Sequence, residues 1–140
     1  MKKRIKVFIY IIANLPKFII TGRLFSKQKY DEIIKLSKKW LNKNEGDDFL
    51  ARRNIGIAYV YLGKSDEGFE YIKEIIQETK KDSLIEKMMR YFIYPEFKNK
   101  NYDKIIYRCS YFTNNKMSQE TKNKINKIIS DAYRSVLSEN

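Results

Sequence analysis

Ile55-Gly56-Ile57-Ala58-Tyr59-Val60-Tyr61-Leu62-Gly63-Lys64-Ser65-Asp66-Glu67-Gly68-Phe69 is the stretch that decides the fold. Its apolar residues return at helical steps as far as Leu62, and Gly63-Lys64-Ser65 supplies turn chemistry. A second helix then begins on Asp66 and Glu67, acids that suit the positive end of a helix dipole. The second half of the stretch has counterparts on either side. Lys64-Ser65-Asp66-Glu67-Gly68-Phe69 stands between Lys29-Tyr30-Asp31-Glu32-Ile33-Ile34 and Asn101-Tyr102-Asp103-Lys104-Ile105-Ile106, at spacings of 35 and then 37 residues. Upstream, Ile20-Thr21-x-x-Leu24 lines up with Ile55-Gly56-x-x-Tyr59 without a gap. A period of this length marks stacked supersecondary units, and three helix pairs follow.

Outward from this centre, the apolar periodicity predicts helices over approximately 17–27, 30–43, 48–62, 65–80, 83–94, 101–114 and 119–138. The breaks fall at Asn44-Glu45-Gly46-Asp47-Asp48, Gly63-Lys64-Ser65, Lys81-Asp82-Ser83 and Asn114 through Ser118, with Ser65, Asp82 and Ser118 as N-cap candidates. In the last segment Ile125, Ile128, Ile129, Ala132, Tyr133, Val136 and Leu137 share one face, and Lys122, Lys124, Lys127, Asp131 and Arg134 share the other, as a terminal capping helix requires. Composition agrees with an all-α chain. Apolar residues make up 43% and aromatics 14%, enough to build a core, while 5 Gly and 2 Pro are too few for the many tight turns of a β-sandwich.

From Ala51 to Lys81 the chain resembles a tetratricopeptide repeat. Ile55, Gly56 and Tyr59 match its Leu-Gly-x-x-Tyr core, Gly63 its turn glycine, Gly68 its small residue in the second helix and Ile72 its aromatic place four residues later. Arg52 stands where the consensus has Trp, and Lys80 where it has the closing Pro. The outer copies are degenerate, and the three together cover about residues 17–117. The resemblance implies an α-α superhelix of about three pairs, preceded by an apolar basic helix and closed by a C-terminal helix. It also implies a protein-binding adaptor whose groove is lined by the first helix of each pair. By match to the family's groove-facing places, the middle repeat would contribute Leu50, Arg53, Asn54, Ile57 and Tyr61. An Arg and an Asn side by side suit a carboxylate, with Ile57 and Tyr61 as apolar anchors, so an acidic peptide or protein is the expected partner. The third pair would add Met88, Met89, Arg90 and Phe92, in a phase left open by its two extra loop residues. The plainer reading of Arg52 and Arg53 is solvated surface charge.

Several chemistries are excluded or disfavoured. With no histidine, imidazole bases, His metal sites and His-dependent nucleophiles are absent, and no phosphate loop, dinucleotide fingerprint or zinc spacing is present. No catalytic residue, metal or cofactor is therefore expected. The single Cys109 reads as a small buried residue of a reducing compartment. The acidic pairs Asp31-Glu32, Asp47-Asp48 and Asp66-Glu67 read as helix-start residues rather than as acid-base or cation sites. The run Tyr91-Phe92-Ile93-Tyr94-Pro95-Glu96-Phe97, with Tyr107, Tyr111 and Phe112, has the composition of a base-stacking platform, but at helical spacing an aromatic stripe is core material. The formal charge of +12 does not argue for nucleic acid either, because it is unevenly placed. Up to Tyr30 there are eight basic residues and no acid, whereas the other 110 residues hold 21 basic and 17 acidic side chains.

Residues 1–16 form a distinct N-terminal segment ahead of a repeat domain at 17–140. Lys2-Lys3-Arg4-Ile5-Lys6 leads into Val7-Phe8-Ile9-Tyr10-Ile11-Ile12-Ala13-Asn14-Leu15, then Pro16-Lys17. A signal peptide has this order but needs a small-residue cleavage site, and a spanning helix needs about 20 apolar residues. Two readings stay open. One is a helix lying on an anionic bilayer through residues 1–15, with Lys2, Lys3, Arg4, Lys6, Phe8, Ile9 and Ile12 in contact. The other is a helix covering the solenoid's open end or a partner's surface. Beside the adaptor stands a second function class, a membrane-surface accessory protein such as a small immunity or tolerance factor. The wealth of Ile, Lys, Asn and Tyr points to an A+T-rich bacterial genome, and the expected location is cytoplasmic, peripheral at the inner face of the membrane.

Overall fold

A computed structural model describes residues 2–42, 48–113 and 116–139, apart from the side chains of residues 2, 7, 10, 11 and 13. Among the described residues the chain is all-α. Its helices are α1 (Lys2–Ser26), α2 (Tyr30–Asn42), α3 (Asp48–Tyr61), α4 (Ser65–Glu78), α5 (Asp82–Phe92), α6 (Tyr94–Lys98), α7 (Tyr102–Phe112) and α8 (Gln119–Glu139). The expected turn at Asn44-Glu45-Gly46-Asp47 lies outside the described residues, as do Asn114 and Asn115.

The helix boundaries depart from the sequence expectation at the two prolines. The segment expected to break at Pro16 is continuous, so the boundary drawn at 16/17 falls inside α1. Pro16 has no N–H for the Ile12 carbonyl, but both residues are exposed, so the lost bond falls where the carbonyl meets solvent. At Pro95 the loop expected over 95–100 contains a one-turn helix, α6, with Pro in its first turn, where a missing N–H costs nothing.

Three turns share one hydrogen-bond pattern. Gln28, Gly63 and Lys100 all have left-handed φ, at 56°, 74° and 56°. Before the first, the Lys29 N–H donates to the Leu24 carbonyl at 2.9 Å and the Gln28 N–H to Phe25 at 3.0 Å. The same pair of bonds recurs as Lys64 to Tyr59 with Gly63 to Val60, and as Asn101 to Glu96 with Lys100 to Phe97. In each case the carbonyl of the residue after the turn then accepts the first bond of the next helix, from Ile33, Gly68 and Ile105. These are Schellman endings, which satisfy the last carbonyls of one helix while reversing the chain into the next. They fall 35 and 37 residues apart, in the register of the sequence repeat.

The chain divides within α4 into two compact units, Met1–Gly68 and Phe69–Asn140. In the first, α2 packs along α3 and more lightly on α1. Ile33, Ser37 and Trp40, one turn apart on α2, are buried, as are Ala51, Ile55 and Ala58 on α3. Trp40 also lies under the Lys17 ammonium of α1, 5.1 Å from the ring centroid. Where α4 leaves the turn it crosses α3 at glycines, as the repeat match anticipates: a methyl group on Gly68 would stand 2.5 Å from the Gly56 carbonyl oxygen.

The second unit is organised around Phe69. The rings of Phe92, Tyr107, Tyr111 and Phe112 lie 5.7–6.4 Å from it, centroid to centroid, and the Arg108 guanidinium sits over its face at 5.5 Å. Arg108 is 1% exposed. It donates to the Phe92 carbonyl at 2.8 Å and pairs with Glu96 at 3.3 Å, whose other oxygen accepts from Asn101 at 2.6 Å. α7 packs on α8, whose start is capped by Ser118 Oγ accepting the Thr121 N–H at 3.2 Å. Asp82, expected to cap its own helix, is instead the first residue of α5 and accepts the Ser118 N–H at 3.2 Å. Ser118 thereby holds the Asp82 carboxyl below the usual carboxylate range. Only part of the expected α8 face is covered: Ile125 and Ala132 are buried, while Tyr133 and Leu137 are exposed.

Two stability measurements test this account. A left-handed conformation costs an L-residue about 1–2 kcal/mol, partly offset by glycine's larger unfolded-state entropy, so Gln28→Gly and Lys100→Gly should each stabilise by roughly 0.5–1 kcal/mol in urea melts. Gly63→Ala should cost about 1 kcal/mol although nothing lies within 4 Å of its added methyl, because the penalty is conformational. Glu96→Ala should cost about 3–5 kcal/mol by stranding the buried Arg108, whereas Glu96→Leu combined with Arg108→Leu should cost less than the sum of the single changes.

Candidate binding site

The groove expected on α3 is not open. α3 is buried along one broad face, on which Leu50, Asn54 and Ile57 adjoin Ala51, Ile55 and Ala58. Leu50, Asn54 and Ile57 are therefore interior residues, and Asn54 Nδ2 is buried without a hydrogen-bond partner among the described residues. The less buried side of α3 carries Asp48, Arg52 and Arg53, while Leu50, Asn54 and Ile57 continue the buried face beside Ala51, Ile55 and Ala58. Arg53 is half-buried. Tyr61 is exposed but engaged, its ring stacked on Tyr30 at 4.9 Å with planes 3° apart.

The third pair's phase is settled by α5. Ile85, Met88, Met89 and Phe92 point inward, which turns Lys87, Arg90 and Tyr91 outward. These three line an open cavity of about 470 Å³. Among the described residues Arg90 makes no ion pair. A guanidinium, an ammonium and a phenol ring on adjacent turns offer forked donors, a point charge and an apolar wall, a combination that suits carboxylates next to apolar groups. Arg90 was legible in the sequence. Tyr91 reads in the sequence only as part of the aromatic run, and Lys87 carries no signal of its own; once the inward face is known, the spacings of three and four residues from Lys87 to Arg90 and Tyr91 put the three together.

A second surface lies on α1. Lys3, Arg4 and Lys6 are exposed, and so are Phe8, Ile9 and Ile12; the Lys2 side chain lies outside the described residues. Ile5, Leu15, Ile19 and Ile20 extend the same exposed face.

The remaining candidates resolve into structure. Asp31 and Glu32, Asp66 and Glu67, and Asp48 occupy first turns of α2, α4 and α3, while Asp47 lies outside the described residues. Among the described residues no group of three acidic or thiol side chains is placed to hold a metal. The aromatic run is split between core and surface, with Phe92 and Ile93 buried and Tyr94 exposed, so it presents no continuous stacking platform. Cys109 is buried on α7, where desolvation pushes its thiol up to about 12. Set against family models, curated proteins and solved structures, the chain matches none.

The thiol gives a direct check on α7. With so little thiolate present, Cys109 should react with a disulfide reagent at pH 8 at least about a hundredfold more slowly in the native protein than in denaturant. Equal rates would mean that α7 does not bury it.

Proposed function

We propose that this chain is a non-catalytic, helical-repeat binding module of tetratricopeptide type that takes an acidic peptide or protein segment on the outer face of α5. The observation that carries the reading is the cavity lined by Lys87, Arg90 and Tyr91. Three Schellman turns at the sequence period, and the glycine crossing of α3 and α4, support the repeat architecture. The partner surface is narrower than the sequence suggested, since Leu50, Asn54 and Ile57 are interior. Arg90 remains from the expected set, joined by its neighbours on α5.

The test is fluorescence anisotropy with a labelled peptide of alternating Glu and Leu. Lys87→Glu with Arg90→Glu should weaken binding at least about tenfold, or 1.4 kcal/mol. Because the chain is strongly basic, the control is an equal charge change elsewhere, Lys127→Glu with Arg134→Glu, which should weaken binding less than about threefold. Equal losses in both variants would reduce the interaction to net charge and remove the α5 site.

A further inference from the structure

α1 carries a long apolar face that the rest of the fold leaves uncovered. Among its described side chains, those turned toward the neighbours are mixed: Asn14 and Thr21 are buried, Lys17 covers Trp40 of α2, and Phe18, Leu24 and Phe25 are half-buried, Phe25 against Tyr30 and Tyr61. The residues it sends outward are Ile5, Phe8, Ile9, Ile12, Leu15, Pro16, Ile19 and Ile20, which follow one another at three- and four-residue steps along one face. Phe8 and Ile9 are 65% and 60% exposed. Of the large apolar residues exposed anywhere among the described residues, more than half belong to this one face. From Ile5 to Ile20 it runs about 22 Å along the helix, far beyond the scattered single exposures that a soluble surface tolerates. The Ile5–Ile20 face does not itself cap the rest of the fold, since it is uncovered.

What the face fits is decided by the charges around it. Lys3, Arg4 and Lys6 flank its start, and Arg23, Lys27 and Lys29 lie exposed at its end. No acid occurs before Asp31. The nearest acids on the packed neighbour are Asp31 and Glu32 in the first turn of α2, where Glu32 already pairs with Lys29 at 3.5 Å. An apolar stripe bounded at both ends by cations is complementary to hydrocarbon under a layer of anionic headgroups, with the long basic side chains reaching back to the phosphates. It does not fit a second copy of itself, because pairing two such faces would bring their cationic ends together in at least one half of the contact for a parallel arrangement and leave uniformly basic rims in an antiparallel one.

The helix would lie in the membrane plane and not cross it. Among the described residues no helix is long and apolar enough to span a bilayer, and crossing would strip Lys17 from Trp40 and carry Asn14, Lys17 and Thr21 into hydrocarbon. We propose that α1 docks the protein on an anionic lipid surface through the Ile5–Ile20 face, parallel to the bilayer, with its opposite face kept on α2. This is independent of the acidic-partner site on α5.

The experiment is co-sedimentation of the full chain with vesicles of phosphatidylcholine alone, or of phosphatidylcholine with about one third phosphatidylglycerol. At low salt the wild type should partition onto the anionic vesicles at least about tenfold more strongly than onto the neutral ones, and partial release is expected at about 0.5 M salt. Phe8→Glu with Ile12→Glu changes only exposed side chains, so melting temperature should hold while partitioning falls at least about tenfold. Wild-type protein that stays in the supernatant overturns the proposal. So does a Phe8→Glu, Ile12→Glu variant that binds as well as wild type, because binding would then be diffuse charge attraction. Sedimentation velocity without lipid covers the remaining occupant: a wild-type dimer that this variant dissociates would assign the face to a second copy.

Discussion

The chain reverses direction by the same device three times, and the rest of the fold depends on it. A helix that ends leaves its last carbonyls without partners, and a turn that buries them unsatisfied would cost more than the packing beyond it returns. Here a residue with left-handed φ at positions 28, 63 and 100 lets two backbone N–H groups fold back onto those carbonyls and delivers the chain into the next helix within two residues. Only Gly63 of the three is glycine. Gln28 and Lys100 hold the conformation against their own side-chain sterics, so the flanking helices, not the local preference, enforce it. Packing on both sides of the turn is the stronger term.

The turn register also shows what differs between the copies. Leu24, Tyr59 and Glu96 accept equivalent bonds, and one helix later Leu36, Tyr71 and Arg108 hold equivalent places. Two copies therefore set apolar or aromatic residues where the third sets a buried ion pair. A pair of that kind is weak evidence for added stability, since desolvating both charges offsets most of their attraction. It does constrain geometry. Arg108 is held from three directions, by the Phe92 carbonyl, the Glu96 carboxylate and the Phe69 ring, which fixes α5, α6 and α7 around Phe69 at the point where Pro95 interrupts the helix.

Much of this was legible in the sequence because it depends on local chemistry. The period, the Gly63 turn, the Gly68 crossing and the Ser118 cap each rest on a few residues close in the chain. What was not legible depends on neighbours. Pro16 reads as a break because proline removes a helical bond, yet α1 runs through it where the lost bond faces outward. Asp82 reads as a cap for α5, yet its carboxylate serves α8. Leu50, Asn54 and Ile57 read as groove residues by position in a repeat, but whether such a face stays open depends on what packs over it, and here all three are buried. Periodicity shows which side of a helix is buried; how broad that side is depends on the neighbours.

Both proposed surfaces are cationic, so electrostatics alone does not sort their partners. At a Debye length of about 8 Å a basic surface attracts anionic lipid and acidic peptide alike. Sorting has to come from the apolar component. On α1 that component is a stripe of exposed apolar side chains from Ile5 to Ile20, which suits a fluid surface. On α5 it is one aromatic ring, Tyr91, beside Lys87 and Arg90 at an open cavity of about 470 Å³. The two surfaces should accordingly differ in salt response: attraction held largely by charge on α5 fades with screening, whereas a stripe running from Ile5 to Ile20 retains its apolar share. Apolar length, more than net charge, distinguishes the two proposed surfaces.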